Sequence, residues 1–281
     1  MNLRSFEFFL RDESRIKRYL VKTCWRNYVR FCIRCRTRKI YWIRRDRYRC
    51  GQCGYEFSDF AGRWINKVKL PHRDWLWLIK LFELGTSARK ASQQLGISYP
   101  TVHKAFHLIR QSITAHSRHG DLLLDGEIGA KETYFGNRRE GCLARNSQTR
   151  IPVFGIFERK GSVRVEPLQN LDAESVLNLK VKTVRRGSIV YTDRWRSYDA
   201  LMFCGYKHST ANDGKGFSRS DVHMNGVDRF WSYVKERMNK FHSVSREKFP
   251  LYLKEMEFRY NHRHESIFNT LVRYLCDLTA I

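Results

Sequence analysis

Ser188-Ile189-Val190-Tyr191-Thr192-Asp193 is a short apolar run that ends on an acid. Its length and β-branched content predict a buried strand that delivers a carboxylate at its end. Upstream, Ile151-Pro152-Val153-Phe154-Gly155-Ile156-Phe157 predicts another strand. Ser162-Val163-Arg164-Val165-Glu166 predicts a third, with Lys160-Gly161 as the hairpin turn between them. The apolar stretch from Leu122 to Phe135 is extended as well. A helix is expected over residues 173–183, a shorter one near 195–203, and a polar strand over 206–209. A loop containing Asp213-Gly214-Lys215-Gly216 then leads to two long helices, about 223–240 and 246–262. Strands alternating with helices in this way predict a layered α/β domain over residues 120–281.

The whole chain has 281 residues, 53 Lys and Arg against 28 Asp and Glu, and a formal charge of +25. A surplus of that size calls for a polyanionic partner, and DNA or RNA is the natural one. No stretch approaches the ~18 uninterrupted apolar residues of a membrane span. The N-terminal Met1-Asn2-Leu3-Arg4 with Phe8, Phe9, Arg11, Asp12 and Glu13 lacks the long apolar run of a signal peptide. The expectation is a cytoplasmic, nucleoid-associated protein with no membrane partner.

After an N-terminal helical segment (residues 1–30), Cys32-Ile33-Arg34-Cys35 and Cys50-Gly51-Gln52-Cys53 form two CxxC knuckles separated by 14 residues. Four thiolates at this spacing close a tetrahedral zinc shell and predict a structural zinc ribbon over residues 31–60. Two disulfides or four unrelated thiols are the alternatives, and a reducing cytosol disfavours the first. Tyr41, Trp42, Arg44, Arg45, Arg47, Tyr48 and Arg49 between the knuckles fit a short hairpin with an exposed positive face. Cys24, Cys142, Cys204 and Cys276 read as lone buried thiols.

From Asp74 the pattern becomes helical, with Trp75, Leu78, Ile79 and Phe82 at three- and four-residue steps. Gly85 stops that helix, Thr86 or Ser87 can cap the next, and Gly96 makes a turn after Ala88, Ala91 and Leu95. A third helix starts near Ser98-Tyr99-Pro100 and turns Val102, Ala105, Phe106 and Ile109 inward. Residues 61–119 thus read as a helix-turn-helix, a layout that reads the DNA major groove and also occurs in ordinary three-helix bundles. Tyr99, Thr101 and His103 are the candidate base contacts, with Lys104 and Arg110 expected to meet phosphates.

The order of strands and helices after residue 120 resembles that of a ribonuclease-H-like domain. Three runs sharpen the resemblance: Glu132-Thr133-Tyr134-Phe135-Gly136; Tyr191-Thr192-Asp193 with Tyr198; and His223-Met224-Asn225-Gly226-Val227-Asp228-Arg229-Phe230-Trp231-Ser232-Tyr233-Val234-Lys235. Glu255-Met256-Glu257-Phe258-Arg259-Tyr260-Asn261-His262-Arg263 completes the series. With the ribbon and the helical reader, the chain resembles insertion-sequence transposases with an acidic catalytic triad, the Merlin-like or ISXO-like group. The resemblance implies double-stranded DNA partners (transposon ends and target), a homo-oligomer on DNA, and strand cutting and joining with two Mg²⁺ or Mn²⁺ ions. It makes Asp193 the second acid and Asp228 the third, where the family more often has Glu. Asn225, one helical turn earlier, becomes an additional ligand candidate, and Lys235, two turns on, a DNA-backbone contact. The first acid's place holds Lys131, and an ammonium cannot bind Mg²⁺. Glu132 falls on the opposite face of the strand, and Glu127 lies about 13 Å back along it. Asp125 is farther still, and Gly129 sits where the family commonly has an acid. Two functions therefore stand: a transposase, or a catalytically inactive DNA-binding protein descended from one. A transcription factor with an unrelated α/β ligand domain would have no reason to contain these runs in this order.

Overall fold

The computed structural model describes residues 3–44, 46–117, 123–136, 151–159, 161–168, 183–192, 207–210, 220–241 and 244–279. The chain divides into one unit of residues 1–116 with 264–281, and a second of residues 117–263. No helix among the described residues is long and apolar enough to cross a membrane.

The first unit opens with α1 (Leu3–Phe9) and α2 (Glu13–Cys24). Asp12 caps α2, its side chain accepting the Arg15 N–H at 3.1 Å. A three-stranded antiparallel sheet follows: β1 (Ile40–Arg44), β2 (Arg47–Cys50) and β3 (Glu56–Ser58), with β2 in the middle. Trp25 is buried beneath it with Phe57 and the cysteine knuckles, and its Nε1 donates to the Asp59 carbonyl at 3.1 Å. Three helices come next: α3 (His72–Glu83), α4 (Ala88–Leu95) and α5 (Tyr99–Ser117). Ser87 caps α4 by accepting the Lys90 N–H at 3.3 Å, and Gly96 ends it at φ 64°, a left-handed conformation natural to glycine. Phe82 of α3 and Phe106 of α5 meet edge to face at 5.2 Å.

In the second unit, β4 (Glu127–Phe135), β5 (Ile151–Glu158), β6 (Val163–Pro167), β7 (Ile189–Thr192) and β8 (Lys207–Thr210) form one sheet of order β6-β5-β4-β7-β8. The first three strands are antiparallel neighbours, while β7 and β8 run parallel to β4. The sheet is therefore mixed, in keeping with the layered α/β domain that the alternating strands and helices predict. Alternation sends Ile128, Ala130, Phe154, Ile156 and Val190 to one face. Phe135, Val153, Phe157, Val163 and Val165 go to the other, under α6 (Ser220–Asn239) and α7 (Phe249–Asn261). Helix α7 also covers the sheet edge. Glu257 accepts the Val165 N–H at 2.8 Å, and Asn261 both accepts from Val163 N–H and donates to its carbonyl, at 2.8 and 2.9 Å. An edge strand otherwise exposes such groups to other chains. The helices expected over 173–183 and 195–203 lie outside the described residues.

The last helix, α8 (Phe268–Cys276), belongs to the first unit, although residues 120–281 read as one domain from sequence. Its apolar stripe explains the difference: Phe268, Leu271, Val272 and Leu275 are all buried, and Phe268 meets Phe6 of α1 edge to face at 5.2 Å. Its N-terminus is held by Glu83 of α3, which accepts from the Ser266 hydroxyl at 2.7 Å and the Phe268 N–H at 3.1 Å. Burial opposes ionisation of Glu83, but the hydrogen bonds from Lys80 and Ser266 outweigh it and hold the carboxyl below its usual range.

Candidate functional site

The two cysteine knuckles are built alike. Cys32 N–H donates to the Thr37 carbonyl at 2.8 Å, and Cys50 N–H to the Tyr55 carbonyl at 2.9 Å. Arg36 N–H returns to Cys32 at 2.8 Å, and Gly54 N–H to Cys50 at 3.0 Å. Arg36 and Gly54 both take positive φ, 62° and 69°. The turns bring Cys32 Sγ within 3.6 Å of Cys53 Sγ, and Cys35 Sγ within 3.5 Å of Cys50 Sγ. All four sulfurs lie within 4.8 Å of one another. Tetrahedral Zn–S bonds of about 2.3 Å place sulfurs roughly 3.8 Å apart, so the donor set fits one zinc ion. Burial pushes the Cys50 thiol up, but N–H donors from Cys53 and Gln52 bring it below its usual range, while burial and the neighbouring sulfurs push Cys35 the other way, so the two thiols share their ionisation.

At the start of α5, Tyr99 is half exposed and Lys104 faces solvent, while Thr101 and His103 are partly covered. Thr101 Oγ1 lies 2.8 Å from Ser98 Oγ, and the rings of Tyr99 and His103 are 5.8 Å apart. These four residues share the first turns of the helix. Arg110 does not join them. It was expected on the outer face, but it is buried with its guanidinium over the Phe82 ring at 5.5 Å. It occupies the same stripe as Val102 and Phe106, four residues apart, so its aliphatic stem packs inward.

In the second unit, Lys131 of β4 and Asp228 of α6, 97 positions apart in sequence, meet directly. Lys131 Nζ is 2.8 Å from Asp228 Oδ1, with side-chain exposures of 28% and 54%. Lys131 lies on the sheet face that carries α6, because β4 alternates and Phe135 points the same way. Helix α6 can approach closely because Gly155, opposite Lys131 in the register, has no side chain. A Cβ there would sit 2.6 Å from the ring of Trp231. Trp231 is a residue the sequence reading did not single out, and its buried Nε1 finds no acceptor among the described residues. Lys235 is exposed on α6. Asn225 lies on the same helix, its side chain outside the described set, and Asp193 lies outside the described residues altogether.

The neighbouring acids are engaged elsewhere. Arg159 Nη1 donates to Glu127 at 2.7 Å, and Arg185 Nη1 to Asp125 at 2.9 Å. Glu132 alternates to the face of Ile128 and Ala130. Among the described residues, Asp228 is thus bonded to a cation and no group of three carboxylates gathers around it, and this set does not fit a pair of Mg²⁺ ions, which takes several converging oxygen ligands. Cys24 and Cys276, read as lone thiols, come together instead: a hydrogen bond from Cys24 and then burial hold the Cys276 thiol well above its usual range. Their separation along the chain hides this contact from any sequence pattern.

The ISXO2-like transposase domain matches residues 123–261. A transposase-like protein of Haemophilus influenzae is 37% identical over 92 residues, spanning 33% of this chain and 75% of that protein. A protein in transposable element ISH50 of Halobacterium salinarum is 25% identical over 273 residues, 88% of this chain and 90% of that one. Among solved structures, the catalytic core domain of BIV integrase aligns with a TM-score of 0.34 at 9% identity, covering 50% of this chain and 86% of that chain. The Mos1 transposase paired-end complex with the left transposon end aligns at 0.25 with 11% identity, covering 72% and 79%.

Proposed function

The chain belongs to the ISXO2-like transposase family, and on that premise we propose that it binds transposon-end duplex DNA without forming a two-metal cleavage site. The observation that carries this reading is the contact between Lys131 and Asp228. Where the family's chemistry asks for acids, an ammonium sits on the third one. A dication approaching Asp228 must displace that ammonium and then remain beside it, which Coulomb repulsion opposes. Asp193 remains the candidate second acid: Thr192, the residue before it, pairs with Ala130, the residue before Lys131. The protein is then a DNA-binding member of its family with strand cleavage lost.

DNA recognition is assigned to the start of α5. In this reading Tyr99, Thr101 and His103 reach base edges, while Lys104 meets the backbone. One zinc held by Cys32, Cys35, Cys50 and Cys53 closes all its coordination positions on thiolates and so supplies folding energy rather than chemistry.

The experiment is a binding titration against a duplex carrying the element's own terminal repeat and a scrambled duplex, over a range of salt. Affinity for both should fall with salt at a log–log slope of roughly −0.9 per neutralised phosphate. Thr101→Ala or His103→Ala should cost about 1–3 kcal/mol on the cognate duplex and little on the scrambled one. Lys104→Ala should weaken both alike. No Mg²⁺-dependent nicking should accompany binding. Equal affinity for every duplex, unmoved by these changes, would overturn the recognition assignment, and nicking by the unaltered chain would overturn the rest.

A further inference from the structure

Strand β1 is the free edge of the ribbon, and after Ile40 every described side chain on it faces solvent. Tyr41 is 65% exposed and Trp42 68%, more than any other aromatic ring among the described residues. Large rings on a short solvent-facing strand have no role in the core, which is supplied by Trp25, Phe57 and the knuckles. Their neighbours are cations: Arg44, Arg47 and Arg49 are exposed, and none forms an ion pair among the described residues. Of the nearby acids, Asp46 at the hairpin turn is held by Lys17, and Glu56 stands opposite Arg49 in the register without forming an ion pair with it. Tyr41 is also fixed in place. Its ring lies over Gly51 of the second knuckle, so close that a Cβ there would be 2.6 Å from Cε2. The zinc knuckle and the ring are therefore coupled.

We propose that this edge seats an unpaired DNA strand, with Tyr41 and Trp42 stacking on bases and Arg44, Arg47 and Arg49 holding phosphates. Consecutive residues on a strand project to opposite faces, so the two rings offer two separate platforms. Arginines alone would suffice for the backbone of an intact duplex. Exposed rings add something only where base faces are uncovered, because stacking is worth most to bases that have lost their neighbours. A second copy of this chain is disfavoured as the occupant, since it would bring the same arginines against these. The proposal rests on the DNA-binding reading above and adds a single-strand seat to the duplex contacts of α5.

The test uses the full zinc-loaded chain with oligothymidylate of about 15 nucleotides, within the span of single-strand sites, and a duplex of the same length. Tyr41→Ala with Trp42→Ala should weaken single-strand binding at least about tenfold, the loss expected when bases lose their stacking partners, and change duplex affinity less than about twofold. Trp42→Phe keeps a ring and the fold. It should retain single-strand affinity but lose the tryptophan quenching that accompanies binding. Unchanged single-strand affinity in the double variant, or quenching that persists in Trp42→Phe, overturns the proposal. So does an equal loss on duplex DNA. The two readings fail separately: a parent chain that ignores duplex DNA yet shows ring-dependent single-strand binding overturns the earlier reading and supports this one.

Discussion

Arg36 occupies in the first knuckle the left-handed position that Gly54 occupies in the second. For an L-residue that conformation costs about 1–2 kcal/mol, part of which the chain entropy of a glycine offsets. Arg36→Gly should therefore stabilise the ribbon by up to about 1 kcal/mol with the zinc content unchanged, read by thermal unfolding and metal analysis. Gly54→Ala should do the reverse, because its φ of 69° strains a side chain even though no atom lies within 4 Å of the new Cβ. A loss of more than about 1 kcal/mol in Arg36→Gly would mean that the guanidinium over the Phe31 ring at 5.6 Å outweighs the strain. The charge of Arg110 suggests an outer face, but its place four residues beyond Phe106 puts it on the buried stripe. The periodicity carried the correct answer, and the residue type obscured it.

Between elements, the joint of α3 with α8 depends on one carboxylate. Glu83 binds Lys80 at 2.6 Å and caps the N-terminus of α8, with both side chains nearly buried. Glu83→Gln should cost about 1.5–3 kcal/mol at neutral pH, the range for hydrogen bonds to a charged group. Because its folded pKa is depressed, that contribution is fully present above the unfolded carboxyl value of about 4.3 and lost as pH falls through the folded one. The difference between parent and variant should thus shrink on acidification below about pH 4. A difference that stays constant down to pH 2 would remove the carboxylate from the joint. Local elements such as the knuckles, Ser87 and Gly96 were legible in the sequence because their signals lie within a few residues. The return of α8 was not. It depends on contacts such as Tyr19 with Asn269, 250 positions apart, which no window of sequence contains.

At the scale of the whole molecule, a basic chain of +25 joins a four-cysteine cluster and three consecutive helices to a mixed five-stranded sheet. The strands of that sheet were readable from apolar runs. The meeting of Lys131 with Asp228 was expected only through the resemblance to transposases, because two charged residues on separate elements announce nothing about each other. Half-exposed, the pair itself adds at most about 1 kcal/mol, so replacing Lys131 should leave the fold intact. The most direct measurement is a calorimetric Mn²⁺ titration of the zinc-loaded protein, parent beside Lys131→Asp and Lys131→Asp with Asp228→Asn. The parent should show no stoichiometric Mn²⁺ binding, Lys131→Asp should gain it, and Asp228→Asn should remove that gain again. Two Mn²⁺ ions bound per parent chain, both lost when Asp228 alone becomes Asn, would contradict it.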